Sequence, residues 1–185
     1  MRMSAVKTAL AVVVVSMAAL TACGTTSGVN GGAAVTRVEG ADPEAILRTS
    51  PSFEDAQRQY RAAVQDWANQ IASTSPSLTW RVKEDGWGGC TGEYANTPGV
   101  HAYIYVVFDG PISDAAWPSA LDVVQRGAAQ LGATAVTATV DRPGDHNVIF
   151  SGNDGITVEF GTKAAGVLSA KSDCRLRSGT FGRGN

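Results

Sequence analysis

The sequence predicts an α+β fold, two main helices packed on one face of an antiparallel sheet of about five to six strands. Three observations lead there. Two segments, 53–71 and 117–131, carry apolar residues at helical spacing. Between and after them lie runs rich in β-branched and aromatic residues, separated by Gly, Pro, Asn and Asp turns. The connections between the last of these runs are too short for parallel crossovers, so those neighbours must run antiparallel. With 185 residues, 44% of them hydrophobic and 17% charged, the chain can build one ordinary domain with a real core and is too apolar for wholesale disorder. A formal charge of −2 and the lack of any basic stripe argue against a nucleic-acid partner.

Residues 1–22 read as a secretory signal, with Arg2 and Lys7 as its cationic region and 9–20 as an unbroken apolar or small run. That run is about 12 residues long, short of the ~20 a helix needs to cross the hydrocarbon core. Leu20-Thr21-Ala22-Cys23-Gly24 then has the form of a bacterial lipobox: an aliphatic residue, two small ones that fit a peptidase cleft, and a cysteine. The Cys23 thiol is expected to accept a diacylglyceryl group before cleavage makes it the first residue; the alternatives are an ordinary signal followed by a chance cysteine, or a Cys23 that pairs as a disulfide. Each buried CH₂ contributes ~0.8 kcal/mol, and more than one chain of the palmitate class gives stable anchoring. Loss of the signal leaves 13 basic against 17 acidic side chains, a charge of −4. Anionic lipid offers such a chain no attraction, so the acyl group must hold it on the membrane unaided. The expected location is the cell membrane, lipid-anchored and facing outward.

Residues 23–41 are expected to be the lipidated cysteine and a flexible tether, small, polar and glycine-rich, with a root-mean-square reach of about 20–25 Å. A single α+β domain is expected over 42–176, and a frayed tail over 177–185. Asp42-Pro43-Glu44 reads as an N-cap with proline in the first turn of a short helix. Ser52-Phe53-Glu54-Asp55 has capping-box form and opens the first main helix, with Phe53, Ala56, Tyr60, Val64, Trp67 and Ile71 as its buried stripe. Tyr60 and Trp67 belong to that stripe and read as core rather than ligand-stacking residues. Pro76 ends the helical region, and 78–83 alternates as a first strand with Leu78, Trp80 and Val82 on one face. Residues 84–92 look too glycine-rich for regular structure.

The run 101–108 should be a central strand, Ala102, Ile104, Val106 and Phe108 on one face and His101, Tyr103, Tyr105 and Val107 on the other, which is apolar enough to need partial cover. Ser113-Asp114 is expected to open the second main helix, with Pro118 in or near its first turn and Gly132 as its stop. Short strands follow at 134–141, 147–151, 155–162 and 167–174, with turns at Arg142-Pro143-Gly144-Asp145 and Asn153-Asp154-Gly155.

Beyond Cys23, Cys90 and Cys174 form an even pair in an exported setting, for which a disulfide is the natural reading. Buried free thiols, a metal site with His101 and His146, and intermolecular pairing are the competing ones. His101 reads as a satisfied structural histidine and His146 as an exposed edge residue. Neither has a G-x-S-x-G elbow to serve. Asp141, Asp145 and Asp154 read as solvated turn carboxylates, and no EF-hand pattern joins them. Trp87, isolated among glycines, either plugs a core gap or stands exposed as a contact residue.

These residues resemble the mycobacterial LppA/LppV-type lipoproteins over roughly 43–176. The carriers are the lipobox with Cys23, the helix start Ser52-Phe53-Glu54-Asp55-Ala56, Thr79-Trp80, Cys90, Gly132-Ala133-Thr134, Gly152-Asn153 and Asp173-Cys174. The spaced pair Cys90 and Cys174 is the most specific of them. The resemblance implies a cell-envelope lipoprotein of an actinobacterium and implies no activity, the family having no established catalytic residues to carry over. The expected function is a non-enzymatic binding or interaction domain for an envelope lipid, glycan or protein, with no cofactor. A structural accessory of an envelope complex, or a hydrolase using His101 or His146, are the alternatives.

Overall fold

The computed structural model describes residues 42–75 and 77–179. The expected signal, Cys23, the tether, Pro76 and residues 180–185 lie outside them. Asp42 caps α1 (Pro43–Thr49), its carboxylate accepting the Glu44 N–H at 3.0 Å. Ser52 and Asp55 form the capping box that opens α2 (Phe53–Ser73). The whole apolar stripe of α2, Phe53, Ala56, Tyr60, Val64, Trp67 and Ile71, is buried.

The first strand is longer than its composition suggests. β1 (Trp80–Gly89) passes through the glycines in which only a loop was expected, pairing antiparallel with β2 (Val100–Phe108) across a bulge between Val82 and Glu84. Gly86 lies opposite Tyr103 and Gly88 opposite His101. A Cβ on Gly88 would stand 2.7 Å from His101 Cε1, so the ring itself lies over the bare backbone. At Gly88 a ring on the neighbouring strand thus replaces the packing that the glycine lacks. Val82, expected on a buried face, is 39% exposed, because β1 is the sheet's edge. α2 meets that edge at two places: Trp80 Nε1 donates to Asn69 Oδ1 at 3.1 Å, and the Asp85 carboxylate is held by Gln57 and Arg61.

The buried and half-buried residues of β2 alternate as its sequence predicts. α3 (Trp117–Gln130) starts later than expected. A helix capped at Ser113 would carry Pro118 inside it, without an N–H and against a carbonyl one turn back. Instead Ser113 accepts the N–H groups of Ala116 and Trp117 in a turn, and Pro118 falls in the first turn of the helix. The helix ends in a Schellman arrangement, Gly132 N–H to Ala129 O at 3.0 Å and Ala133 N–H to Ala128 O at 2.9 Å, with Gly132 at φ +87. α3 meets α2 at Gly127, where a Cβ would stand 2.1 Å from the Trp67 ring.

β3 (Ala135–Arg142), β4 (Asp145–Ser151), β5 (Thr157–Thr162) and β6 (Gly166–Lys171) complete one six-stranded sheet of order β1-β2-β6-β5-β4-β3, every pair antiparallel. The fold is α+β. Ile104, Val106 and Phe108 of β2, Val148 and Phe150 of β4, Val158 and Phe160 of β5 and Leu168 and Ala170 of β6 pack with Val64, Trp67 and Ile71 of α2 and with Ala120, Val124 and Ala128 of α3. Both long helices therefore lie on one face. Among the described residues, the partial burial of Tyr103, Tyr105 and Val107 on the other face comes from their neighbours on β1 and β6.

The tail is anchored further than expected. Val100 and Arg175 exchange backbone hydrogen bonds of 2.8 Å each, and Leu176 is buried. Beyond it the Arg177 guanidinium lies 4.7 Å from the Phe53 ring centroid and 4.2 Å from that of Trp87, while Ser178 N–H and Oγ donate to Glu54. Phe53 N–H, bonded to Leu176 O at 2.8 Å, starts this docking, and the two rings hold the arginine through their negative faces.

Candidate functional site

A cleft of about 380 Å³ opens at one end of the sheet. Cys90 at the end of β1, the 3₁₀ turn Gly92–Tyr94, His101 at the start of β2, Lys171 and Ser172 at the end of β6 and the Asp154-Gly155 turn between β4 and β5 line it. A disulfide closes its floor, joining Cys90 to Cys174 with Cα atoms 5.9 Å apart across a sequence separation of 84. Leu47, Tyr94, Cys174 and Leu176 pack together behind the bridge, so α1 braces the wall.

The polar groups around the cleft are of mixed kind. Burial, with the Lys171 ammonium nearby, pushes the His101 imidazole below its ordinary value, and a hydrogen bond at Gly89 offsets only part of this. His101 is therefore a neutral donor and acceptor at neutral pH. Ser172 is buried and fully engaged, its Oγ accepting the Ala102 N–H and donating to Asp173 O. The cleft runs out onto the sheet face opposite the one that α2 and α3 cover. There Tyr103, opposite Lys171 in register, stacks with Tyr105 at 6.5 Å between centroids. Burial raises the Tyr103 phenol, which Ser169 holds by a hydrogen bond.

The residues singled out in the sequence do not all meet here. Trp87 is 59% exposed, on the helix-bearing side of β1 at the same end, with Arg177 against its ring. His146 stands at the opposite end of the sheet and on the opposite face from His101. It is buried at 9% exposure, which corrects the expectation of an exposed edge residue. Its ring stacks on Trp117 at 4.8 Å, which in turn stacks on Phe160 at 4.7 Å, while Nδ1 meets Asp141 Oδ1 at 2.9 Å and Nε2 meets Asp114 Oδ1 at 3.0 Å. Burial works against its charge, yet the two carboxylates outweigh that and raise its pKa above the ordinary 6.5. With both ring nitrogens taken, it is a structural clasp. Asp145 pairs with Arg142 at 2.7 Å and Lys163 at 3.2 Å, so it is a paired carboxylate rather than a merely solvated one. Asp154, at φ 56 in its turn, borders the cleft.

Sequence reasoning missed Lys171, Glu93 and Tyr94, the lysine because a cation at the end of a strand has no signature, the others because they lie in a 3₁₀ turn. It read His101 and the tyrosines as one strand face but could not place the Cys90 loop beside them. Among the described residues no group of three or more His, Cys, Asp or Glu is arranged to hold a metal ion, and no helix is long and apolar enough to cross a membrane.

A family model described as LppA, lipoprotein confined to pathogenic Mycobacterium, matches residues 32–178. No curated protein matches the chain. Among solved structures it is similar to the lipoprotein LppA of Mycobacterium tuberculosis, with 19% identity and a TM-score of 0.62 over 71% of this chain and 82% of that one. It is also similar to a DUF4853 family protein of Actinomyces odontolyticus, with 16% identity and a TM-score of 0.50 over 71% of this chain and 73% of that one. At such identities the likeness is one of fold.

Proposed function

The chain belongs to the LppA family of lipoproteins, and from that premise we propose that it is a membrane-anchored binding domain of the cell envelope that takes a glycan in the cleft beside its disulfide. The anchor in this reading is Cys23, acylated through its sulfur and freed as the first residue when 1–22 are removed. The 18 or so residues that follow give the domain about 20–25 Å of reach from the outer membrane surface.

The observation that carries the binding reading is the cleft itself. Its floor is covalently pinned, and its rim combines an ammonium (Lys171), carboxylates (Glu93, Asp154), a neutral imidazole (His101) and exposed backbone at Gly92 and Gly155. The adjoining Tyr103 and Tyr105 offer flat apolar area. A hydroxyl-rich ligand with apolar C–H faces matches that mixture, whereas an acyl chain would bring no hydrogen-bonding group to it.

Two measurements test the proposal. The Cys23→Ala chain is expected to leave the membrane fraction; full retention there would overturn the anchor. In native mass spectrometry after incubation with a detergent extract of envelope, the chain is expected to carry a reproducible saccharide mass that Lys171→Glu and Tyr103→Ala abolish. A bare mass, or an increment untouched by both substitutions, would overturn the cleft as the binding site.

A further inference from the structure

The two edges of the sheet are built differently. β1 carries Arg81, Lys83, Glu84 and Asp85 along its exposed length, the charges that keep an edge strand from pairing with another chain. β3, the opposite edge, has six residues from Ala135 to Val140 without a charge or a proline. Its ladder is occupied by β4 on one side and, among the described residues, open on the other.

Beside this open edge runs a mainly apolar groove of about 170 Å³ between α3 and the sheet, lined by Trp117, Leu121, Val136, Ala138, Val148 and Phe150 together with Gln125 and Asp141. The helices stop short of β3, leaving Val136 55% exposed above the groove. Strand addition to an edge gains affinity from main-chain hydrogen bonds and specificity from pockets that take alternate side chains. Here ladder and pocket lie side by side.

We propose that β3 pairs antiparallel with β3 of a second copy about a two-fold axis at Thr137, joining two sheets into one of twelve strands. The strand's own sequence selects this occupant. In that register Ala135 faces Thr139 of the other copy, Thr137 faces its equivalent, and Val136 faces Ala138. Residues opposite one another share a face, and Val136 and Ala138 both face the helices, opposite Phe150 and Val148 of β4. Each exposed valine therefore comes down over the small residue in the wall of the other copy's groove. Residues 135–139, which this register pairs, carry no charge, so no like charges meet in it, and two Thr137 hydroxyls can bond across the axis. The register break between Ala138 and Val140 sets the length of the new ladder. The interface is isologous, as a two-fold requires, and stands apart from the cleft, none of whose lining residues lies on β3.

The test is cross-linking of the full chain in its membrane. Opposed residues of an antiparallel pair have Cα atoms ~4.5–5.5 Å apart, within disulfide range. Thr137→Cys, a substitution at an exposed site, is expected to give a covalent dimer on mild oxidation, and the added change Val136→Lys to lower its yield at least tenfold. Arg81→Cys on the charged edge is expected to stay monomeric. A monomeric Thr137→Cys chain, equal cross-linking from Arg81→Cys, or capture of a different polypeptide by Thr137→Cys would each overturn the self-pairing.

Discussion

Removing the disulfide by the double change Cys90→Ala and Cys174→Ala isolates one covalent contribution to the fold. Alanine is chosen because Cys174 is buried and a serine there would bring an unpaired hydroxyl. The bridge closes a loop across 84 positions, for which the chain-entropy relation gives about 15 cal/mol/K, or about 4.6 kcal/mol at 25 °C. Observed losses run lower, roughly 2–4 kcal/mol, because unfolded chains retain structure. At roughly 3–4 °C per kcal/mol for a domain of this size, a loss near 3 kcal/mol lowers Tm by about 10 °C. Thermal unfolding followed by circular dichroism reads this directly, and urea titration gives the free energy. A loss below about 1 kcal/mol would refute the reasoning. It would mean that the Val100–Arg175 bridge and the packing of Leu47, Tyr94 and Leu176 hold the loop ends as closely without the covalent link.

Two further outcomes follow from the packing and the titration of single residues. Gly127→Ala puts a methyl group into the Trp67 ring, so it should destabilise by about 1–3 kcal/mol despite alanine's better helix propensity, read as a lower urea midpoint with unchanged m; an unchanged or higher midpoint would deny the close approach of α2 and α3. The His146 pKa is raised in the fold, so the stability it contributes is complete below its ordinary 6.5 and declines as pH rises through the higher folded value. Unfolding titrations of the wild type and of His146→Gln across pH 5–9 should show that decline in the wild type alone, and parallel curves would rule it out.

The long helices were legible because each carries its buried stripe within its own sequence. α2 needs only Phe53, Tyr60, Val64 and Ile71 to declare its face and Ser52 with Asp55 to declare its start. β1 was legible only to Lys83. What makes a strand of the glycines after it is the antiparallel register with β2, with the His101 ring over Gly88, and nothing within the segment announces that partner. The same distance in sequence hid the clasp on His146, whose Asp114 partner lies 32 positions away. The cleft was the least legible feature, since four separate segments contribute a wall each. The cysteines alone pointed to it, by drawing Cys90 and Cys174 into consideration together.

The strand order carries a consequence for how the chain reaches this state. β6 follows all the other strands in the sequence, yet it occupies the middle of the sheet, between β2 and β5. Until it has emerged, a growing or translocating chain can form a β1–β2 hairpin and a β3–β4–β5 meander, but these have no shared ladder and only half a surface for α2 and α3 to cover. Cooperative folding must therefore wait for Gly166–Lys171, and the long-range pairings involved are of the slow kind. A chain threaded outward from its N-terminus would stay unlatched through most of its passage. It would lock only when β6 slots in and brings Cys174 to a Cys90 that has been outside for some time.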